Sequence, residues 1–314
     1  MRDPSRSFGP YTLLTITMVF WGSAFATSQI AVGEVPHSVA ALGRFGIGAV
    51  FLVAVMLLRR GPRKRLPRRA QLRAAFAGAI GVFAYNALFF WGLTFAPSVD
   101  GALIVPVLSP ILTTLFLVVT RQETASKARL AGFGLAAVGA ALFLVAVSSE
   151  TPAGSLRLVG DGIFLLGAAT WATYTLVSKK VIAGIEPLAA TTYGTVAGSL
   201  LLGAMAIPSF GEVRWDELSN GFWINMAYLG ILPTAVAYLY YYRGVRDVGP
   251  ASAATMMFLV PVFGSLCAFI LLDQRITAIQ AVGGALMLLG ALLAVTNGRI
   301  ALGRTATTPG RAGR

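Results

Sequence analysis

The sequence predicts an all-α integral membrane protein of ten transmembrane helices arranged as two inverted five-helix repeats. Three observations carry this prediction. Of 314 residues, 56% are hydrophobic and 12% charged, against about 45–50% and about 25% in a soluble domain. Too little polar surface remains to cover a water-soluble core, and the mean hydropathy is positive. Ten apolar runs approach the ~20 helical residues that a bilayer core requires. Residues of the first half also recur in the second at a nearly constant offset of about 151.

The predicted spans, in order, are 11–32, 38–58, 74–95, 98–119, 130–147, 162–182, 187–207, 222–242, 251–272 and 279–296. Each run is continuous rather than alternating, which argues against barrel strands. Pro36, Pro97, Pro187 and Pro250 mark tight hairpins between spans. The chain divides into a cytosolic segment 1–10, a first repeat 11–147, an external linker 148–161, a second repeat 162–296 and a basic cytosolic tail 297–314. AFA at 24–26 imitates a signal-peptide cleavage site, but the apolar run continues to Val32.

A net charge of +13 would suit a nucleic-acid binder until its placement is read. With the N-terminus inside, 21 of the 25 basic residues fall on cytosolic loops, eight of them between Arg59 and Arg73. Arg157, Arg214 and Arg275 fall outside, and Arg44 lies within a span. This is the positive-inside bias, and it predicts a multi-pass plasma-membrane protein with both termini cytosolic. The partners expected are lipid and a small-molecule substrate, and no nucleic acid. The single cysteine, Cys267, sits in an apolar span, so neither a disulfide framework nor a metal cluster is expected. No cofactor is expected either.

The repeat is read from matched residues. Trp21 recurs as Trp171, Pro36 as Pro187, Gly43 as Gly194 and Gly92 as Gly244. Pro110, Gly132 and Gly139 recur as Pro261, Gly283 and Gly290, each at an offset of 151. Five spans per half is an odd number, so the halves must face opposite ways. Inverted pairs of this kind recur in secondary transporters, where exchanging the conformations of the halves exchanges the open side.

The segments FWGSAFATSQIAVG (20–33), GRF (43–45), ALIVPVLSPILTTLFLVVTRQE (102–123) and AYLYYYRGVRDVGPASAATMMFLVPVF (237–263) resemble the EamA-type drug/metabolite transporters. The resemblance runs over roughly 11–296. It implies a central cavity lined by helices 1–4 and 6–9, with helices 5 and 10 peripheral, and export or exchange of amino acids and related metabolites. In one respect the chain departs from the family pattern. Glu123 fits the acidic residue after the fourth helix, but its counterpart after the ninth is Gln274.

Candidate working residues follow from what hydrocarbon tolerates. Pro106, Pro110 and Pro261 each remove a backbone hydrogen bond, making them candidate hinges along the cavity. Arg44 lies about six residues into helix 2, ~9 Å deep at 1.5 Å per residue. Intramembrane charge points to function. It is a candidate to hold a substrate carboxylate, or to pair with Glu34 or Asp100. Trp21, Tyr85, Asn86, Trp171, Tyr174, Tyr193 and Tyr238 are candidates to stack on or hydrogen-bond a small organic solute. Helix-to-helix contact is the plainer role for each. Tyr240, Tyr241 and Tyr242 read as an interfacial belt. His37 and Asp100 are the proton-coupling candidates. Glycines spaced by seven on helices 5 and 10 permit close packing and leave a homodimer open.

The reading of function is a secondary carrier for small organic metabolites, amino acids or related zwitterions and anions, by alternating access. Lipophilic-drug efflux is the alternative, and the aromatic set suits it. An intramembrane protease needs a Ser–His pair or two mid-membrane aspartates, and the sequence offers neither. A channel would need a ring of pore-lining charges or carbonyls. No G-x-x-x-x-G-K-[ST] loop is present.

Overall fold

Apolar runs bounded by prolines become helices whose ends the prolines set. The structure, a computed structural model, describes residues 8–59, 66–121, 126–150, 154–181, 184–248 and 256–296, and no strand occurs among them. Helix α1 spans Phe8–Glu34, α2 His37–Leu58, α3 Arg68–Gly78, α4 Tyr85–Gly92, α5 Ser98–Val119 and α6 Lys127–Glu150. The second half brings α7 Gly154–Val181, α8 Pro187–Ala206, α9 Asn220–Leu229, α10 Ala237–Val248, α11 Val260–Leu272 and α12 Ala278–Thr296. Pro36 and Pro97 are the N-caps of α2 and α5, and Pro187 opens α8. In the first turn the missing N–H of proline has no partner to lose. Pro250, Glu123, most of the 59–69 basic cluster and the tail 297–314 lie outside the described residues.

Among the described residues, six helices are long and apolar enough to cross a membrane: Gly9–Glu34, His37–Leu58, Arg68–Gly92, Ser98–Val119, Pro187–Glu212 and Asn220–Tyr241. Their outward faces carry exposed Val50, Leu72, Val119, Leu200 and Ile224. Apolar faces this extensive require lipid, and the chain is membrane-embedded. The linker expected over 148–161 is helical on both sides, because α6 runs to Glu150 and α7 starts at Gly154.

Two π turns interrupt the rods, at Ala79–Ala84 between α3 and α4 and at Gly230–Val236 between α9 and α10. They recur at the repeat offset. The second is seven residues against six, which accounts for the step from 151 to 152 between the Gly43 and Gly92 matches. Periodicity does not reveal a π turn, since one extra residue only rotates the following face. Pro261 departs from expectation as well. A 3₁₀ turn, Met257–Leu259, precedes it, and Pro261 stands in the first turn of α11 rather than mid-helix. The freed mid-helix carbonyl expected of it therefore belongs to α5 alone, which carries Pro106 and Pro110 in its interior.

Helices α6 and α12 pack closely on each other. Gly139 faces Gly283 and Gly132 faces Gly290, with backbone in contact at both places. Advancing along one helix retreats along the other, so the two run antiparallel. These glycines meet within one chain. The central core lies inward of this pair and includes fully buried Met18, Phe45, Phe90, Phe164 and Met226.

Candidate functional site

The middle of α1 presents Trp21, Ala24 and Phe25 to a central cavity. The opposite walls come from Arg44 of α2, Tyr85, Asn86 and Phe89 of α4, and Val105 and Pro106 of α5. Trp171 of α7, Tyr238 of α10, Met257 and Val260 close it. The cavity leaves ≈ 50 Å³ for the centres of water-sized molecules. At ~10–15 Å³ per water on this measure, that holds a few waters and not an amino acid.

An aromatic cluster forms one wall. Trp21 meets Trp171 edge-on with ring centroids 6.1 Å apart and Tyr238 at 5.5 Å. Tyr85 lies 4.9 Å from Trp171, and Tyr174 lies 5.2 Å from it on the far side. Edge-to-face contacts of this kind suit the ring quadrupoles. Tyr241, expected in an interfacial belt, packs on Trp21 instead at 5.0 Å. Beyond the cluster, Tyr174 and Tyr238 line a second, smaller cavity with Thr191 and Thr195. Thr195 is the repeat counterpart of Arg44. Tyr193, half-buried on α8, lines neither cavity, and His37 opens α2 at the hairpin away from both.

Two polar members of the wall serve the π turns. The Asn86 side-chain amide donates to the carbonyls of Gly81 and Val82, at 3.3 and 2.9 Å. The Trp21 indole N–H donates to the Pro233 carbonyl at 3.1 Å. These bonds hold the irregular backbone that the interruptions expose.

Arg44 is the charged group of the wall, and it is buried. Its Nε donates to Thr234 Oγ1 at 3.2 Å and Nη1 to Ser28 Oγ at 3.4 Å, and the guanidinium lies 5.0 Å from the Phe45 ring centroid. Thr234 gives its own proton to the Leu229 carbonyl at 2.9 Å, so its lone pair is free to accept. The pairing of Arg44 with Glu34 or Asp100, open from the sequence, does not form. Glu34 lies beside Ser219, and Asp100 takes Arg157 as its ion partner. Among the described residues no carboxylate pairs with Arg44.

At the α4–α5 hairpin end, side chains tie α1, α5 and the segment after α11 together. Gln274 Oε1 accepts from Ser98 Oγ at 3.0 Å and from the Val99 N–H at 3.3 Å, while its Nε2 donates to Gln29 Oε1 at 2.6 Å. A glutamate there could accept but, when ionised, could not donate. The departure from the acidic pattern thus has a local reason. Asp100 and Arg157 join α5 to α7 at the same end. Among the described residues no group of three or more His, Cys, Asp or Glu is placed to hold a metal.

Comparison with known proteins gives this arrangement its context. A family model described as the EamA-like transporter family matches residues 9–145 and 158–296. The uncharacterised transporter YyaM of Bacillus subtilis (strain 168) is 28% identical over 284 residues, covering 90% of this chain and 92% of its own. A "probable terminal-alkyne amino-acid exporter" of Streptantibioticus cattleyicolor is 28% identical, covering 95% and 97%. A solved crystal structure shares the fold at a TM-score of 0.66 and 22% identity, over 92% of this chain and 97% of its own.

Proposed function

The chain belongs to the EamA-like transporter family, and on that premise we propose that it is a secondary carrier of amino acids or related small zwitterions and anions. It works by alternating access across the plasma membrane, in export or exchange. The observation that carries the substrate class is Arg44: a buried guanidinium in the cavity wall with hydroxyl partners and, among the described residues, no carboxylate. A desolvated cation without a counter-ion is costly. A substrate carboxylate supplies one, bidentately, because the guanidinium is a planar fork. The side chain of the solute rests among Trp21, Tyr85, Trp171 and Tyr238, and an ammonium group is at home over such rings. The relative named a "probable terminal-alkyne amino-acid exporter" supports this reading.

The ten helices form two inverted halves in this proposal. The antiparallel glycine seam of α6 and α12 and the recurrence of π turns near the repeat offset support it. Both termini are cytosolic, which puts the α4–α5 hairpin end outside. Alternating access parts the aromatic wall, with Pro106 and Pro110 letting α5 bend and the 3₁₀ turn before Pro261 yielding on the other side. Drug efflux, the second reading, draws on the aromatic rings, but Arg44 repels the cations that such rings attract.

The test is counterflow. Liposomes containing the purified protein and loaded with an unlabelled L-amino acid are expected to accumulate the same labelled amino acid transiently and with saturation, for at least one of the twenty. Flux that never saturates or overshoots points to a channel instead.

A further inference from the structure

Outward of the cavity, helix α7 carries a carboxyl group that the fold leaves unsatisfied. Asp161 is 0% exposed, no donor reaches either side-chain oxygen, and its polar neighbour is the Asp100 carboxylate, to which it can hydrogen-bond only by carrying a proton. One turn earlier, Arg157 reaches across to α5, donating from Nε to Asp100 Oδ2 at 2.7 Å and from Nη2 to Oδ1 at 2.9 Å. That fork fits one carboxylate, and Asp100, itself fully buried, receives it. Among the described residues the charged groups that bear on Asp161 are Asp100 from α5 and Arg157 from its own helix. It therefore faces one like charge and one cation already engaged. Gly160 lies against Ala96 of the hairpin, and the ring of Phe164 fills the space left by Gly92 and Gly101. Phe164 in turn lies 6.4 Å from Phe89, centroid to centroid, and Phe89 lines the cavity.

An ionised carboxylate with no donor and no unengaged cation is too costly to persist in such a place, and the group neutralises by taking up a proton. We propose that Asp161 is a proton-binding site, holding one proton while Arg157 clasps Asp100 and releasing it when α5 and α7 part. Parting lets water reach Asp161 and frees the guanidinium to stabilise its ionised form. Opening of this end is therefore linked to the loss of one proton, and raised pH favours the open arrangement. The site adds a proton to the carrier cycle and rests on that reading only for the parting of the helices.

Two readouts on the full-length protein in lipid test it. Infrared pH-difference spectra are expected to show a protonated, buried carboxyl C=O band at about neutral pH that Asp161→Asn removes. The counterflow rate of the wild type is expected to change by up to about tenfold per pH unit, the limit for one linked proton, over the range in which that band titrates. Asp161→Asn is expected to lose this limb. A wild type without the band, or a variant that keeps the same band and pH profile, overturns the proposal. Should the variant fail to fold, the wild-type spectrum still decides. The band needs no substrate, so a protein showing it without any amino-acid counterflow contradicts the carrier reading and leaves the proton site standing.

Discussion

Replacing Arg44 with methionine is expected to abolish amino-acid counterflow while leaving the thermal midpoint of the protein unchanged or raised. The two effects have one cause. Arg44 sits in the wall with neutral hydroxyls at 3.2 and 3.4 Å and the Phe45 ring at 5.0 Å, and among the described residues no carboxylate neutralises it until a solute arrives. Truncating one member of a buried, hydrogen-bonded charge pair costs about 2–5 kcal/mol of binding, which at about 1.4 kcal/mol per tenfold weakens apparent affinity at least about thirtyfold. A lone buried charge contributes no stability, and an apolar residue of similar length removes a desolvation penalty. Arg44→Lys keeps the charge without the fork and is expected to fall between. Counterflow and thermal unfolding measured on the same preparations check this. A parallel loss of stability and transport would instead make Arg44 part of the scaffold.

Much of the fold was legible because hydrocarbon imposes simple rules. Pro36, Pro97 and Pro187 stand at helix starts, as their spacing between apolar runs required. Trp21, Arg44, Tyr85, Asn86, Trp171 and Tyr238, chosen as polar or bulky groups within spans, line one cavity, and so does Pro106, chosen as a hinge. The rest of its wall was not legible. Phe25, Phe89, Val105, Met257 and Val260 look in the sequence like any lipid-facing residue, and only the packing turns them inward. Tyr193 shows the opposite error, since an aromatic within a span can as well contact a neighbouring helix. The partners of Arg44 were hidden for another reason: Ser28 and Thr234 carry no charge, and Thr234 is brought near by a π turn that periodicity does not register. Asp161 went unremarked, and Arg157 counted only as an external loop charge, because a single residue at the edge of an apolar run reads as one. Their spacing of four, one helical turn, was the available signal.

Gly139→Leu is expected to cost at least about 3 kcal/mol, at or above the usual upper limit for overpacking. Even a Cβ at Gly139 would stand 2.6 Å from the Gly283 carbonyl oxygen and from the Met287 nitrogen. Both are backbone atoms, so no rotamer change relieves the clash and the two helices must separate. In lipid such close approach is what holds helices together, and the loss extends along the seam to Gly132 and Gly290. Thermal unfolding and the monodisperse fraction after extraction measure it. Gly134→Leu on the same helix is the control, because nothing lies within 4 Å of the added atom; it is expected to change stability by less than about 0.5 kcal/mol.

Competition for counterflow between an amino acid and the amine left by removing its carboxyl group bears most directly on what Arg44 recognises. The two solutes share a side chain and an ammonium group, and only one offers the guanidinium a counter-ion. The amine is expected to compete at least about thirtyfold more weakly. Equal competition by the two would contradict carboxylate recognition at Arg44.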